Sequence, residues 1–499
     1  MDDAFHGEDA GRAAALEELK RRSFIGIGAL IKRQVAVKLL SFLANIALAR
    51  ALAPQAFGIY AIVTFVAQFF STFGDVGIGA ALIQQKDNPT REELSSTFWL
   101  QQLVVWCVVC VAALAAPLVL RLYPSLPSYG VWLIRAMAVS FALTSLKTIP
   151  AIQMERRLDF RRIAIVDIAE TLTFYGAALL LAFAGFEVWS FIIAALLRSL
   201  TGTALIYFFS GWIPSAHFKP SHVKGLVRFG LPYQGNTVLG FIKDAVTPFF
   251  VGIYSGPAAV GFVSWARNSA FAPLMLSEAF GRVAFPVFSR IQGDRELLAR
   301  AVERSMRGIT LVMFPVTALM IALGPEIIRV IFTAKWLPAL PAYYFYCASP
   351  LVVGVMLPMY SAILALGKSG IVLKMMAALL VLEWGMGVPL VMTFGFNGIA
   401  FSQPVAAALF YFVYRRVLRS ESVKIAVFRN IRASFFSALA AGFAAKIIMG
   451  FSGTAPLTLA AAVLAAAAVY TAAVWALEKQ VLLEFGGDFI KIAVSGGKS

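Results

Sequence analysis

Histidine and cysteine are nearly missing from this chain, which holds three of each in 499 residues. His6, His217 and His222 fall in polar connections, so the apolar stretches contain no histidine cluster for zinc binding or proton transfer. Cys107 and Cys110 have CxxC spacing but sit inside one apolar run, and Cys347 stands alone in another. Packing accounts for all three more simply than redox or metal chemistry. Long polar segments are lacking as well. No connection between apolar runs exceeds about 20 residues, which leaves no soluble domain to hold a nucleotide or a catalytic centre. Gly367-Lys368-Ser369 imitates the end of a phosphate-binding loop, yet Ala362 stands where that motif requires its first Gly. The string reads as a tight turn between two helices, and ATP hydrolysis is not expected.

What fills the chain is hydrophobic: 60% of residues are apolar and only 14% are charged, with a mean hydropathy of +0.80. About fourteen runs are long enough to cross some 30 Å of hydrocarbon as helices at 1.5 Å per residue. They cover roughly 24–49, 56–82, 94–120, 128–150, 161–184, 187–210, 228–251, 257–286, 305–323, 341–366, 371–393, 396–414, 432–450 and 455–477. Lys and Arg gather in alternate gaps and in both tails, as in Arg156-Arg157, Arg161-Arg162, Arg290 to Arg307, and Arg415 to Arg432. The intervening gaps hold only Arg50, Arg121, Arg329 and Lys335. Basic loops resist translocation, so both termini are expected to be cytoplasmic. The surplus of Lys and Arg, a net +17, then faces an anionic leaflet, and nucleic acid is not expected as a partner. The first 23 residues show no convincing cleavage site, so the first helix is expected to be its own targeting signal.

Pro54-Gln55-Ala56-Phe57-Gly58-Ile59 follows the first run, and Pro257-Ala258-Ala259-Val260-Gly261-Phe262 follows the seventh, with Pro, Ala and Gly in register. Six helices separate the copies, so both face the same way, as in a parallel repeat about an axis along the membrane normal.

The run Leu48 to Tyr60, with Gly74-Asp75-Val76-Gly77-Ile78-Gly79-Ala80-Ala81-Leu82-Ile83-Gln84, resembles the first hairpin of bacterial polysaccharide-transport flippases. Phe229-Gly230-Leu231-Pro232 and Phe285-Pro286-Val287-Phe288-Ser289-Arg290 resemble the same family. It belongs to the multidrug/oligosaccharidyl-lipid/polysaccharide exporter superfamily, and the likeness weakens after about residue 420. The resemblance implies an all-α integral membrane protein of about fourteen helices, with two pseudo-symmetric six-helix lobes around a central cavity and two further helices. The expected divisions are a tail 1–23, an N-lobe 24–210, a linker 211–227, a C-lobe 228–418, a helix pair 419–477 and a tail 478–499. The implied activity is moving undecaprenyl-diphosphate-linked oligosaccharide repeats across the bacterial inner membrane for exopolysaccharide, capsule or O-antigen. Length and hairpin look most like exporters of the succinoglycan or colanic-acid type. Implied partners are that lipid-linked repeat, membrane lipids, a polysaccharide polymerase and chain-length or export proteins, with function as a monomer.

A charge at mid-bilayer costs about 2.5–3.5 kcal/mol on insertion scales, so deep charges should be paired or face water. Gln34, Lys38, Ser41 and Asn45 form one stripe on the first helix, and Asn236, Lys243 and Thr247 form one on the seventh, with Asp244 beside it. With Arg135, Arg198 and Arg267 these are the cavity candidates: bases for a diphosphate, and amides such as Asn45, Gln234 and Asn236 for sugar hydroxyls. Aromatic faces such as Tyr233 and Trp265 are candidates to meet the sugar. Lys147, Arg282, Lys374 and Lys446 lie near run ends, where they are expected to snorkel. Asp167, Glu170, Asp244 and Glu383 nearly balance the deep bases; they are candidates either for interhelical ion pairs or for an ion-coupling site. Glu278 and Arg282 are spaced to pair along one helix.

No cofactor or metal is expected and no enzymatic step is called for. The drive for alternating access is then an H+ or Na+ gradient, the membrane potential or removal of product. Three other readings stay open: a lipid II flippase, a cation-coupled multidrug antiporter, and a membrane polymerase or ligase. The last is disfavoured by the short outer gap at 324–340.

Overall fold

The computed structural model describes residues 37–495 apart from 75, 76, 78, 80, 83–87, 221, 224, 225, 227–233, 235, 236, 239 and 454. Its described residues form helices and no strand. Eleven of the helices are long and apolar enough to cross a bilayer. Their large apolar side chains lie outward in numbers that water would not tolerate: Leu114 and Phe208 are 79% exposed and Phe451 is 89% exposed. A surface of that kind is solvated by lipid.

The chain divides into two compact units, Met1–Phe241 and Ile242–Ser499. In the first, α1 covers 37–51, followed by α2 (Pro54–Gly74), α3 (Arg91–Leu122), α4 (Gly130–Leu146), α5 (Thr148–Arg156), α6 (Phe160–Phe183) and α7 (Trp189–Ser210). α3 begins with a capping box in which Thr90 Oγ1 accepts from the Glu93 N–H at 3.2 Å and the Glu93 carboxylate accepts from the Thr90 N–H at 2.8 Å. The chain leaving α7 is strapped to this same end. Ser95 Oγ accepts from the Ser215 N–H at 3.0 Å, Ser96 Oγ accepts from the Lys219 N–H at 3.1 Å, and Trp99 Nε1 donates to the Ser215 carbonyl at 2.8 Å.

In the second unit a π-helical turn, Val246–Val251, leads into α8 (Gly252–Ala270). Then come α9 (Leu274–Ile291), α10 (Arg295–Ala322), α11 (Leu340–Ala365), α12 (Ser369–Phe394), α13 (Asn397–Ser420), α14 (Val427–Ser452) and α15 (Pro456–Ser495). α15 is broken at Glu478 (φ −150°, ψ 64°), next to the end of the apolar run. α14 and α15 join the unit through a core that includes Met306 and Phe314 of α10, Met359 of α11, Ala438, Ala441 and Ala445 of α14, and Ala462 and Ala466 of α15. Alanine at these positions lets helix backbones approach closely, the usual way helices associate in lipid. Tyr470 Oη donates to the Leu311 carbonyl at 2.7 Å.

The repeated Pro-x-Ala-x-Gly has the same role in both units. Pro54 opens α2, and Pro257 restarts the helix after Gly256, which has φ 82° and ψ 175°. Ala56 and Ala259 are both buried. The expectations differ from the structure in three spans, of which the first, expected over 56–82, is interrupted at Gly77 (φ 69°) beyond the end of α2. The single run expected over 257–286 is interrupted between α8 and α9, where Pro273 lacks the N–H that a continuing helix would use. The run expected to end at 150 continues through α5 to Arg156, which brings Lys147 into the interior of a span. Gly367 (φ 73°) makes the tight turn expected at Gly367-Lys368-Ser369.

Candidate functional site

Each unit brings several of the ionisable side chains of its helices into a cluster, and each cluster contains a buried glutamate near the middle of a helix. In the first unit that residue is Glu170 of α6, 3% exposed. Its carboxylate pairs with Lys147 Nζ and, at 3.4 Å, with Arg198 Nε of α7. α7 comes close enough for this because Gly202 has no side chain: a β-carbon there would overlap the Glu170 carboxylate. Two bases thus share one acid. Lys147 was expected to snorkel and does not; the extension of its helix past residue 150 carries it away from the span end and onto Glu170.

Polar and aromatic groups border this cluster. Arg198 and Tyr175 lie close enough to Tyr60 of α2 to act on its phenol electrostatically, and Tyr175 Oη accepts from Asn45 Nδ2 at 3.0 Å. Tyr60 is stacked on Phe191 with ring centroids 4.6 Å apart. On α7, Ser199 Oγ lies 2.8 Å from Ser140 Oγ and 2.9 Å from Thr144 Oγ1, so the face of α7 beside Arg198 is hydrogen-bonded to α4.

In the second unit Asp244 Oδ1 lies 3.1 Å from Lys243 Nζ and 3.4 Å from Arg267 Nη2. Glu383 of α12, 8% exposed, accepts from Gln403 Nε2 of α13 at 3.2 Å. The charges of Lys243, Arg267 and Asp244 reach Glu383, and Tyr346 of α11 lies within the fields of both Glu383 and Arg267. The two glutamates are placed alike in one respect: each has a partner on the helix that follows its own in the chain. That partner is Arg198 in the first unit and a neutral amide, Gln403, in the second.

The remaining candidates lie apart from these clusters or outside the described residues. Gln34, Asn236 and Tyr233 are outside them, as are the side chains of Glu278 and Arg282. Lys38 is half-buried on α1. Arg135 is committed to its own corner: Nε donates to the Ala113 carbonyl at 3.2 Å and the guanidinium lies over the Trp132 ring. Asp167, half-buried on α6, acts on Glu155 of α5. Gln234 donates to the Thr72 carbonyl at 2.7 Å. Trp265 is buried against Phe332, Trp336 and Tyr343. Lys374 is exposed. Lys446, expected to snorkel, pairs with Glu326 at 2.8 Å. Cys347 is buried, whereas Cys107 and Cys110 are exposed on α3.

The profile of the polysaccharide biosynthesis protein family matches residues 47–341. The chain belongs to this family. Within the multidrug/oligosaccharidyl-lipid/polysaccharide exporter superfamily it is of the polysaccharide-transport type. It is 29% identical over 300 residues to the succinoglycan biosynthesis transport protein ExoT of Rhizobium meliloti (strain 1021), covering 59% of each chain. It is 23% identical over 334 residues to the lipopolysaccharide biosynthesis protein WzxC of Escherichia coli (strain K12), covering 66% of each. The alignment thus spans about 59 to 66% of the length of these relatives. In fold it is similar to the lipid II flippase MurJ in an inward closed conformation, with a TM-score of 0.71 at 13% identity over 90% of this chain and 100% of that one. A multidrug resistance MATE family transporter, inward-facing, gives 0.56 at 15% identity over 76% and 95%.

Proposed function

We propose that this protein moves an undecaprenyl-diphosphate-linked oligosaccharide repeat from the cytoplasmic to the periplasmic leaflet of the bacterial inner membrane, for assembly into exopolysaccharide or a related polymer. It does so as a single chain of about fourteen membrane helices in two lobes, with both termini cytoplasmic, by alternating access. The observation that carries this is the gathering of Lys147 and Arg198 in one unit, and Lys243 and Arg267 in the other, within the helices of a polysaccharide biosynthesis family member. Bases at such depth are kept where an anion must lose its water, and Arg and Lys donors replace that water at phosphate oxygens. Asn45, Tyr60 and Tyr175 supply the neutral donors and ring faces that suit sugar hydroxyls. Nucleotide hydrolysis is not needed: one charge crossing the potential releases about 2.3 kcal/mol per 100 mV, and an H+ or Na+ gradient serves equally.

The test is deletion in the native host, with secreted polymer and the inner-leaflet lipid-linked repeat measured, and complementation by wild type or by Arg198→Ala with Arg267→Ala. Loss of polymer, accumulation of repeat facing the cytoplasm and rescue by wild type alone are expected. Persisting polymer with new sensitivity to cationic drugs would instead assign the protein to drug efflux.

A further inference from the structure

We infer that Glu170 is the residue that sets how tightly the first unit holds a phosphate group, by permanently occupying one side of its two bases. Given the diphosphate-bearing substrate proposed above, the charges around Glu170 are out of balance. Lys147 and Arg198 carry two positive charges against the single carboxylate of Glu170, so the trio is left with one net positive charge.

The bases differ in what remains available. Lys147 is 20% exposed at its side chain and turned onto Glu170, whereas Arg198 is 52% exposed and touches Glu170 only through Nε. Among the described residues, no acceptor takes a hydrogen bond from the two terminal nitrogens of Arg198. Those nitrogens form the planar fork that matches two phosphate oxygens. The charge of Arg198 reaches the Tyr60 phenol, while Asp167, one turn earlier on α6 than Glu170, acts on Glu155 of α5.

Glu170 is not placed to meet a ligand, being 3% exposed and pressed against Gly202. Its charge nevertheless opposes an anion on Arg198 across a short distance in a medium of low dielectric. A carrier must release what it binds, and a bare Lys–Arg pair in the membrane would grip a diphosphate too firmly to let it go; sites that conduct are weak enough to empty. Glu170 therefore acts as a specificity-determining and release-setting residue through the charge it contributes, not through contact.

Charge count separates this role from a structural one. Glu170→Gln keeps the shape and an acceptor for Arg198 Nε while raising the net charge of the trio. Lys147→Met lowers it, and the double variant Lys147→Met/Glu170→Gln restores the wild-type net charge. Binding of undecaprenyl diphosphate to full-length protein in nanodiscs, with its dissociation rate, is the measurement, and a melting curve for each variant confirms folding. About tenfold tighter binding with slower release is expected for Glu170→Gln, about tenfold weaker binding for Lys147→Met, and a value within about threefold of wild type for the double variant. Folded Glu170→Gln that binds no tighter than wild type, or Lys147→Met that binds no weaker, overturns the inference while leaving the flippase assignment in place. Lys147→Met decides the matter if Glu170→Gln does not fold. Wild type that fails to bind undecaprenyl diphosphate removes the substrate assignment, and the inference with it.

Discussion

The carboxylate of Glu170 fills the space that a β-carbon on Gly202 would need, so α6 and α7 meet at a point where one residue has no side chain and the other a buried carboxylate. This contact decides whether Arg198 and Lys147 have a common partner. Gly202→Ala is expected to push the carboxylate away, leaving two bases without their shared acid. The cost combines overpacking with a broken buried ion pair, about 2–4 kcal/mol. A fall in melting temperature in detergent, together with loss of polymer export in the complementation assay, checks it. Unchanged stability would mean that α7 can shift to accept the methyl group.

The second unit allows a parallel test in which the hydrogen-bond partner is a neutral amide. Glu383 accepts from Gln403 at 3.2 Å in a buried position. Gln403→Leu leaves that carboxylate oxygen without its donor, a loss of about 1–3 kcal/mol for a buried group. Reduced thermal stability with export cut several-fold is the expected result. Gln403→Asn, which keeps an amide but shortens its reach, should fall between wild type and Leu.

The last two helices are held at one end by Glu303 of α10, which accepts from the Ala426 N–H at 2.7 Å, at the start of α14, and lies 3.6 Å from an Arg429 nitrogen. Arg307 Nε donates to Asn430 Oδ1 beside it. Glu303→Ala removes the acceptor for an exposed helix start and is expected to cost about 2–3 kcal/mol. Limited proteolysis should then cut faster in the segment 420–427 than in wild type, before any other site changes.

How much of this was legible in the sequence follows from what each residue's signal depends on. Glu170, Arg198 and Glu383 stand near the middle of apolar runs, where a charge has to be satisfied, and that alone marks them as candidates. Lys147 escapes the same reasoning because its depth depends on where the helix ends, and nothing in the composition of 148–156 shows that the helix continues to Arg156. The pairing of Asp244 with Arg267 is equally hidden, since the two residues stand on either side of the corner at Gly256. Gly202 carries no local signal at all: in the sequence it is one glycine among 38, and only the approach of α6 gives it a role. Trp265 shows the reverse error, a residue with the chemistry to meet a sugar that is used instead to fill an aromatic core.

Backbone conformation supplies the final prediction. Gly256 (φ 82°, ψ 175°) and Thr333 (φ 91°, ψ 156°) both lie in a region that glycine alone occupies without strain. At the first the chain has the residue it needs, and at the second it has a β-branched one. Gly256→Ala is therefore expected to destabilise the second unit by about 1–3 kcal/mol, and Thr333→Gly to stabilise it by about 1 kcal/mol. The consequences for transport differ too. The corner at Gly256-Pro257 redirects the chain that carries Lys243 and Asp244 toward the helix that carries Arg267, so Gly256→Ala should lower export beyond what its melting temperature explains. Thr333 touches none of these groups, since its N–H donates to the Ile328 carbonyl and its own carbonyl accepts from the Trp336 N–H. Thr333→Gly should therefore raise the melting temperature and leave export unchanged. A loss of export in Gly256→Ala no larger than its fall in melting temperature explains would show that the Gly256 corner has no separate part in placing the charge cluster.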